Sequence, residues 1–125
     1  MRCWIAVLLL ILLTDGAQAQ PQGKRAYNVW AKEKIRYLNA KIIINPYKPQ
    51  LHVLLANAYF EDGQKYEAKE QLQAALELDP NYAEAHCNLA VILHSQGYTR
   101  DAKYHYQESL RLDSLMIAAM AGLGT

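Results

Sequence analysis

Apolar positions recur along most of this chain with the period of a helix. Leu51, Leu55, Ala58, Tyr59 and Asp62 fall on one stripe at i, i+4, i+7, i+8 and i+11, apolar until its last turn. Gly63 breaks the stripe, as expected where a helix ends in the left-handed conformation that glycine adopts without steric cost. A second stripe follows in Ala68, Leu72, Ala75 and Leu76, and Asp79-Pro80 stops it, because a residue before proline is pushed out of helical geometry. The plan then returns in Leu89, Leu93, Gly97, Ala102, Tyr106, Ser109 and Leu110, with Ser114 placed to cap whatever comes next. Upstream, Tyr27, Trp30, Ala31, Leu38 and Ile42 predict an amphipathic helix over 26–44, ending before Asn45-Pro46 and led by a flexible stretch from Gln20 to Lys24.

The return is a duplication. Shifting the chain by 34 residues aligns His52/His86, Leu55/Leu89, Ala56/Ala90, Gly63/Gly97, Ala68/Ala102, Lys69/Lys103, Gln73/Gln107, Leu76/Leu110, Leu78/Leu112 and Asp79/Asp113. These ten identities far exceed the roughly two that ordinary composition yields by chance. Small residues recur with large ones at the same interval, so the alanines read as places where helices approach closely. Ala56, Ala90 and Gly124 form one such series, and Ala68 with Ala102 another.

The unit resembles the tetratricopeptide repeat, a 34-residue helix–turn–helix. Leu55-Ala56, Tyr59, Gly63, Ala68, Leu72, Ala75 and Pro80 carry the resemblance in the first copy. Leu89-Ala90, Leu93, Gly97, Ala102, Tyr106, Ser109 and Ser114 carry it in the second. Neither copy has the family's tryptophan; His52 and His86 stand there. The resemblance implies an all-α solenoid of stacked antiparallel helical hairpins with an N-terminal capping helix. Repeats would occupy 49–82 and 83–116, after a basic leader and cap at 20–48. Residues 117–125 would open an incomplete third repeat. Its LMIAAMAGLG stretch is almost wholly apolar, so this edge belongs either to a truncated record or to a surface for docking or self-association. A leading fragment of a larger protein is the corresponding alternative for the chain as a whole.

Arg2, the apolar run Cys3–Leu13 and the small-x-small site Ala17-Gln18-Ala19 predict a secretory signal over residues 1–19, leaving a mature chain from Gln20. The run is short for a membrane span; a retained anchor is the alternative. After cleavage the protein is expected to be extracytoplasmic, periplasmic or secreted; in the alternative it is membrane-anchored by the uncleaved segment. Cys87 would be the one thiol of the mature chain, buried or free to pair between chains.

At 125 residues, 52% hydrophobic and 20% charged, the chain fits one ordinary globular domain, and a net charge of +1 makes no case for nucleic acid. Its charge is nonetheless segregated. Residues 20–48 hold seven Lys/Arg against one Glu, whereas residues 49–125 hold five against ten acidic residues. The basic segment either complements the acidic body or touches an anionic lipid, polysaccharide or acidic partner.

No zinc-ligand spacing, phosphate-cradling loop, haem motif or nucleophile elbow is present, so no cofactor, metal or catalytic residue is expected. His52, His86 and His94 lack a converging carboxylate, and the tyrosines read as packing aromatics, with Tyr98 and Tyr104 as candidate surface contacts. By resemblance, the first helices of the hairpins line a concave groove for a peptide or helix of a partner protein. Its expected lining is Gln50, Val53, Asn57, Phe60, Glu84, Cys87, Asn88, Val91 and His94. One variant of these repeats clamps a terminal carboxylate with asparagines and basic residues. Asn57 and Asn88 match its asparagines, but Val53, Ala118 and Gly122 occupy its basic positions. The expected function is thus a non-catalytic adaptor in an exported envelope or secretion assembly, with helix 26–44 as a surface tether in the alternative.

Overall fold

The computed structural model describes residues 19–115 and 117–124, with side chains from Asn28 onward apart from Ile117 and Ala118; the expected signal lies outside the described residues. Among the described residues six helices follow one another: α1 Ala19–Ile44, α2 Pro49–Glu61, α3 Lys65–Leu78, α4 Ala83–Ser95, α5 Thr99–Leu112 and α6 Ile117–Leu123. The fold is an all-α stack of antiparallel hairpins, α2 with α3 and α4 with α5. The long α1 covers α2, α4 packs on α3, and α6 packs on α5.

Each hairpin turns on a glycine. Gly63 and Gly97 have φ of 80° and 86°, among the described residues the positions with positive φ. The amide of Gly63 donates to the Phe60 carbonyl and that of Gln64 to Tyr59; Gly97 and Tyr98 donate likewise to His94 and Leu93. These paired bonds satisfy carbonyls that the ending helix leaves open. At the other end, Asp79 and Asp113 are extended, and their carboxylates accept from the amides of Asn81 and Leu115. Both turns repeat at the 34-residue interval, so the duplication extends to hydrogen bonds.

The main core gathers Ala56, Ala68, Leu72, Ala75, Leu89, Ala90, Leu93, Ala102 and Tyr106 from both hairpins, with Ala119 of α6. Close helix approach depends on the alanines, nearly all of whose surface is gone. A smaller cluster seats α1: Leu38 packs with Leu55 and Ala58, flanked by Ile35, Ile42, Leu51 and Tyr59. Ser109 takes a place the family gives to alanine and survives full burial because its hydroxyl donates to the Ala83 carbonyl at 2.9 Å. Gly122 lies against Tyr106 so closely that a Cβ there would fall within the ring.

Three expectations need correction. Trp30 points outward, 79% exposed, because the face of α1 that meets α2 is set by Ala31, Ile35, Leu38 and Ile42, and Trp30 lies off it. Residues 20–24 are helical, not a loose leader; Pro21 falls in the first turn, where a missing amide hydrogen costs nothing. Gly124 sits just past α6 and is exposed, unlike the buried Ala56 and Ala90 of its series.

A Cβ at Gly97 would meet nothing within 4 Å, so the cost of replacing it is purely conformational. Gly97→Val is expected to lose on the order of 1 kcal/mol or more, and Gly97→Asn less, since Asn tolerates the left-handed region. Thermal melts of the two variants, equal to each other and to the parent, would contradict the turn.

Candidate functional site

The first helices of successive hairpins, α2 and α4, lie side by side. Ala56 and Ala90 let them approach, and beside them Asn88 Nδ2 donates to Asn57 Oδ1 at 2.9 Å across the joint. Beside this bond opens a cleft of about 140 Å³, lined by Ala56, Asn57, Phe60, Asn88, Val91 and Ile92. Phe60 is 39% exposed and Val91 half-buried, so the trough offers hydrocarbon walls and a pair of linked amides. The remaining amide donors of Asn57 and the Asn88 carbonyl can pair with a peptide backbone. A cavity of about 150 Å³ holds a benzene ring, so the cleft has room for one large aliphatic or aromatic side chain.

Four of the nine expected groove residues therefore come together: Asn57, Phe60, Asn88 and Val91. Val53 and Cys87 do not. They retain 1% and 2% of their surface, because this position of each first helix turns into the hairpin core. Burial also pushes the Cys87 thiol up, which keeps it protonated and unreactive. His94 faces a separate cleft of about 470 Å³, with Thr99, Ala102, Lys103, Tyr106, Gly122 and Leu123. Gln50 and Glu84 are exposed at the starts of α2 and α4, outside the lining, and Glu84 accepts from Tyr82. Ala56 and Ile92 were missed. The small-residue series marked Ala56 as a contact point, but nothing in the sequence marks Ile92 as cleft floor rather than core.

The histidines at the tryptophan position act as polar struts outside the cleft. His86 Nε2 lies 2.8 Å from the Pro80 carbonyl, and its Nδ1 3.0 Å from His105 Nδ1. A carbonyl only accepts, so His86 donates from Nε2 and takes the His105 Nδ1 hydrogen at its other nitrogen. His52 lies between two oxygens, the Pro46 carbonyl at 3.3 Å from Nε2 and Gln71 Oε1 at 2.8 Å from Nδ1; both accept, so a neutral ring donates to one of them. Pro46 and Pro80 are themselves 34 apart, a signal visible only when the comparison is carried one turn upstream. Among the described residues, no group of three His, Cys, Asp or Glu could hold a metal.

A family pattern described as TPR repeat matches residues 56–97, and one described as tetratricopeptide repeat matches 83–114. Residues 56–114 thus match tetratricopeptide repeats. Solved structures with this fold agree. The first TPR of Spaghetti (RPAP3), bound to the HSP90 peptide SRMEEVD, matches with a TM-score of 0.72 at 24% identity, over 92% of this chain and 86% of that one. The second TPR domain of human RPAP3, in complex with the HSP70 peptide SGPTIEEVD, gives 0.70 at 19%, over 83% and 88%. The Sgt2 TPR domain from Aspergillus fumigatus gives 0.72 at 22%, over 88% and 74%. At these identities the likeness is one of fold. A comparison with curated protein sequences finds no match.

Within the second tetratricopeptide unit, burial and then the neighbouring His86 hold His105 below the ordinary imidazole value of 6.5, against the pull of Asp101 and Glu108. The folded state thus favours neutral His105, and the unfolded chain binds the proton more readily. The stabilisation is present above about pH 6.5 and is lost as pH falls toward the lower folded value. Between pH 7.5 and 5.5 the melting temperature is expected to fall, and to fall less in His105→Gln, which places glutamine where the first unit has Gln71. Equal loss in parent and variant would contradict this assignment.

Proposed function

We propose that this chain is a non-catalytic adaptor that seats a peptide or helix of a partner protein in the Asn57–Asn88 cleft. The observation that carries the proposal is the pair of amides joined at 2.9 Å in an otherwise apolar trough. Such a site reads a backbone with its amides and anchors one apolar side chain in its walls. Two of the similar structures hold an HSP90 peptide and an HSP70 peptide in TPR domains, which supports peptide recognition on this fold.

The ligand favoured here differs from a terminal carboxylate. Val53 is buried, and a side chain in place of Gly122 would collide with Tyr106, so two of the three places for clamp cations cannot present one. The six lining residues carry no charge, which suits a neutral apolar anchor. Export across a membrane belongs to the same proposal and is supported by Arg2, the run Cys3–Leu13 and Ala17-Gln18-Ala19. Leu115 and Met120 are exposed at the C-terminal edge, where a second copy would stack if the protein self-associates.

Residues 20–125 used as bait in an extracytoplasmic fraction are expected to recover one partner near stoichiometrically. Asn57→Ala/Asn88→Ala should weaken that binding about tenfold or more, at about 0.5–1.5 kcal/mol per lost hydrogen bond. Undiminished recovery by the double variant, with its helical content intact, would move the site elsewhere. Edman sequencing of the native protein should begin at Gln20; a chain still starting at Met1 would favour the anchor.

A further inference from the structure

We propose that the outer flank of α1 is a seat for the surface of an anionic lipid bilayer. Trp30, Tyr37 and Ile44 recur every seven residues, so they form one line about 21 Å long on the side of α1 turned from the stack. Trp30 and Ile44 are 79% and 76% exposed, Tyr37 is more than half exposed, and the line continues into Tyr47, 83% exposed, in the turn before α2. A helix that has already buried Ala31 and Leu38 against its own domain ordinarily shows water a polar face. Here large apolar groups remain in that face, arranged in register.

Lysines run beside the line. Lys34 and Lys41 are also seven apart, Lys48 follows, and the Lys41 ammonium sits 4.9 Å from the Tyr37 ring centroid. The basic segment makes little use of its charge within the molecule: one ion pair among the described residues joins it to the acidic body, Lys34 with Glu61 at 3.5 Å, and Arg36 pairs with Glu33 on α1 itself. Lys32, Lys41 and Lys48 form no ion pair among the described residues. Trp and Tyr rings suit the headgroup level of a bilayer, and lysines beside them can lay their stems along hydrocarbon while reaching anionic headgroups. No described helix is long and apolar enough to cross a membrane, so α1 would lie on the surface. Neither cleft described above reaches this flank, which favours a planar partner over a peptide.

The test uses the mature chain from Gln20 proposed above, in which Trp30 is the sole tryptophan. Its emission is read with vesicles of phosphatidylcholine and of phosphatidylcholine mixed with phosphatidylglycerol, each with and without brominated acyl chains. The expected result is a blue shift and bromine quenching in the anionic mixture, much reduced in phosphatidylcholine and at high salt. Lys32→Gln/Lys41→Gln/Lys48→Gln, and separately Tyr37→Ser/Ile44→Ser, should return the emission most of the way to its value in buffer with helical content unchanged. Water-like emission in both vesicles would overturn the proposal. So would an equal response in both compositions that the lysine variant leaves intact, or a response to soluble polyglutamate but not to vesicles, which would assign the flank to an acidic protein. These residues are absent from the cleft, so failure here leaves the adaptor proposal standing, and the reverse also holds.

Discussion

The stack depends on helices meeting at alanine. Ala56, Ala58, Ala68, Ala75, Ala85, Ala90 and Ala102 keep almost no surface, and they sit where backbones come nearest. A larger side chain at such a point would pry neighbouring helices apart, and overpacking of a filled core costs about 1–3 kcal/mol. The same close approach brings Asn57 within hydrogen-bond reach of Asn88. Stability and site therefore rest on one constraint: the joint between α2 and α4 must stay tight for the amides to meet.

Polar groups have been admitted to this interior only with partners. Ser109 bonds to Ala83, His86 bridges Pro80 and His105, and His52 bridges Pro46 and Gln71. Each strut ties a second helix to the turn or first helix beside it, and His52 and His86 stand at the position where the related repeats carry tryptophan. Tryptophan fills such a place by volume. Histidine and its partner fill it with directed polar contacts instead. In the second unit both partners are histidine, and burial, with His86 alongside, favours the neutral form of His105.

Helices, turns and the hairpin order were legible in the sequence because the 34-residue period repeats both the stripes and the glycines that end them. Gly63 and Gly97 adopt the left-handed conformation that the interruption of the stripe implied. Side-chain direction within a helix was harder to read. Val53 and Asn57 lie four residues apart, yet one is core and the other cleft, because the boundary between faces depends on where α3 and α4 press against α2. Trp30 shows the same difficulty: a single step along α1 separates buried Ala31 from a ring in water. His94 went to the neighbouring cleft because α6 and Tyr106, distant in sequence, shape its surroundings. Periodicity reports that a face exists; the partner pressed against it decides which residues the face contains.

The division of faces is the central claim, with recognition at the α2–α4 joint and not on α1. It is tested most directly by following asparagine side-chain amide signals in nuclear magnetic resonance as a partner-derived peptide is added. The account predicts that the amide pairs of Asn57 and Asn88 shift together with Phe60 and Val91, while the outer flank of α1 stays still. Shifts confined to α1, or to the cleft around His94 and Tyr106, with Asn57 and Asn88 unmoved, would contradict it.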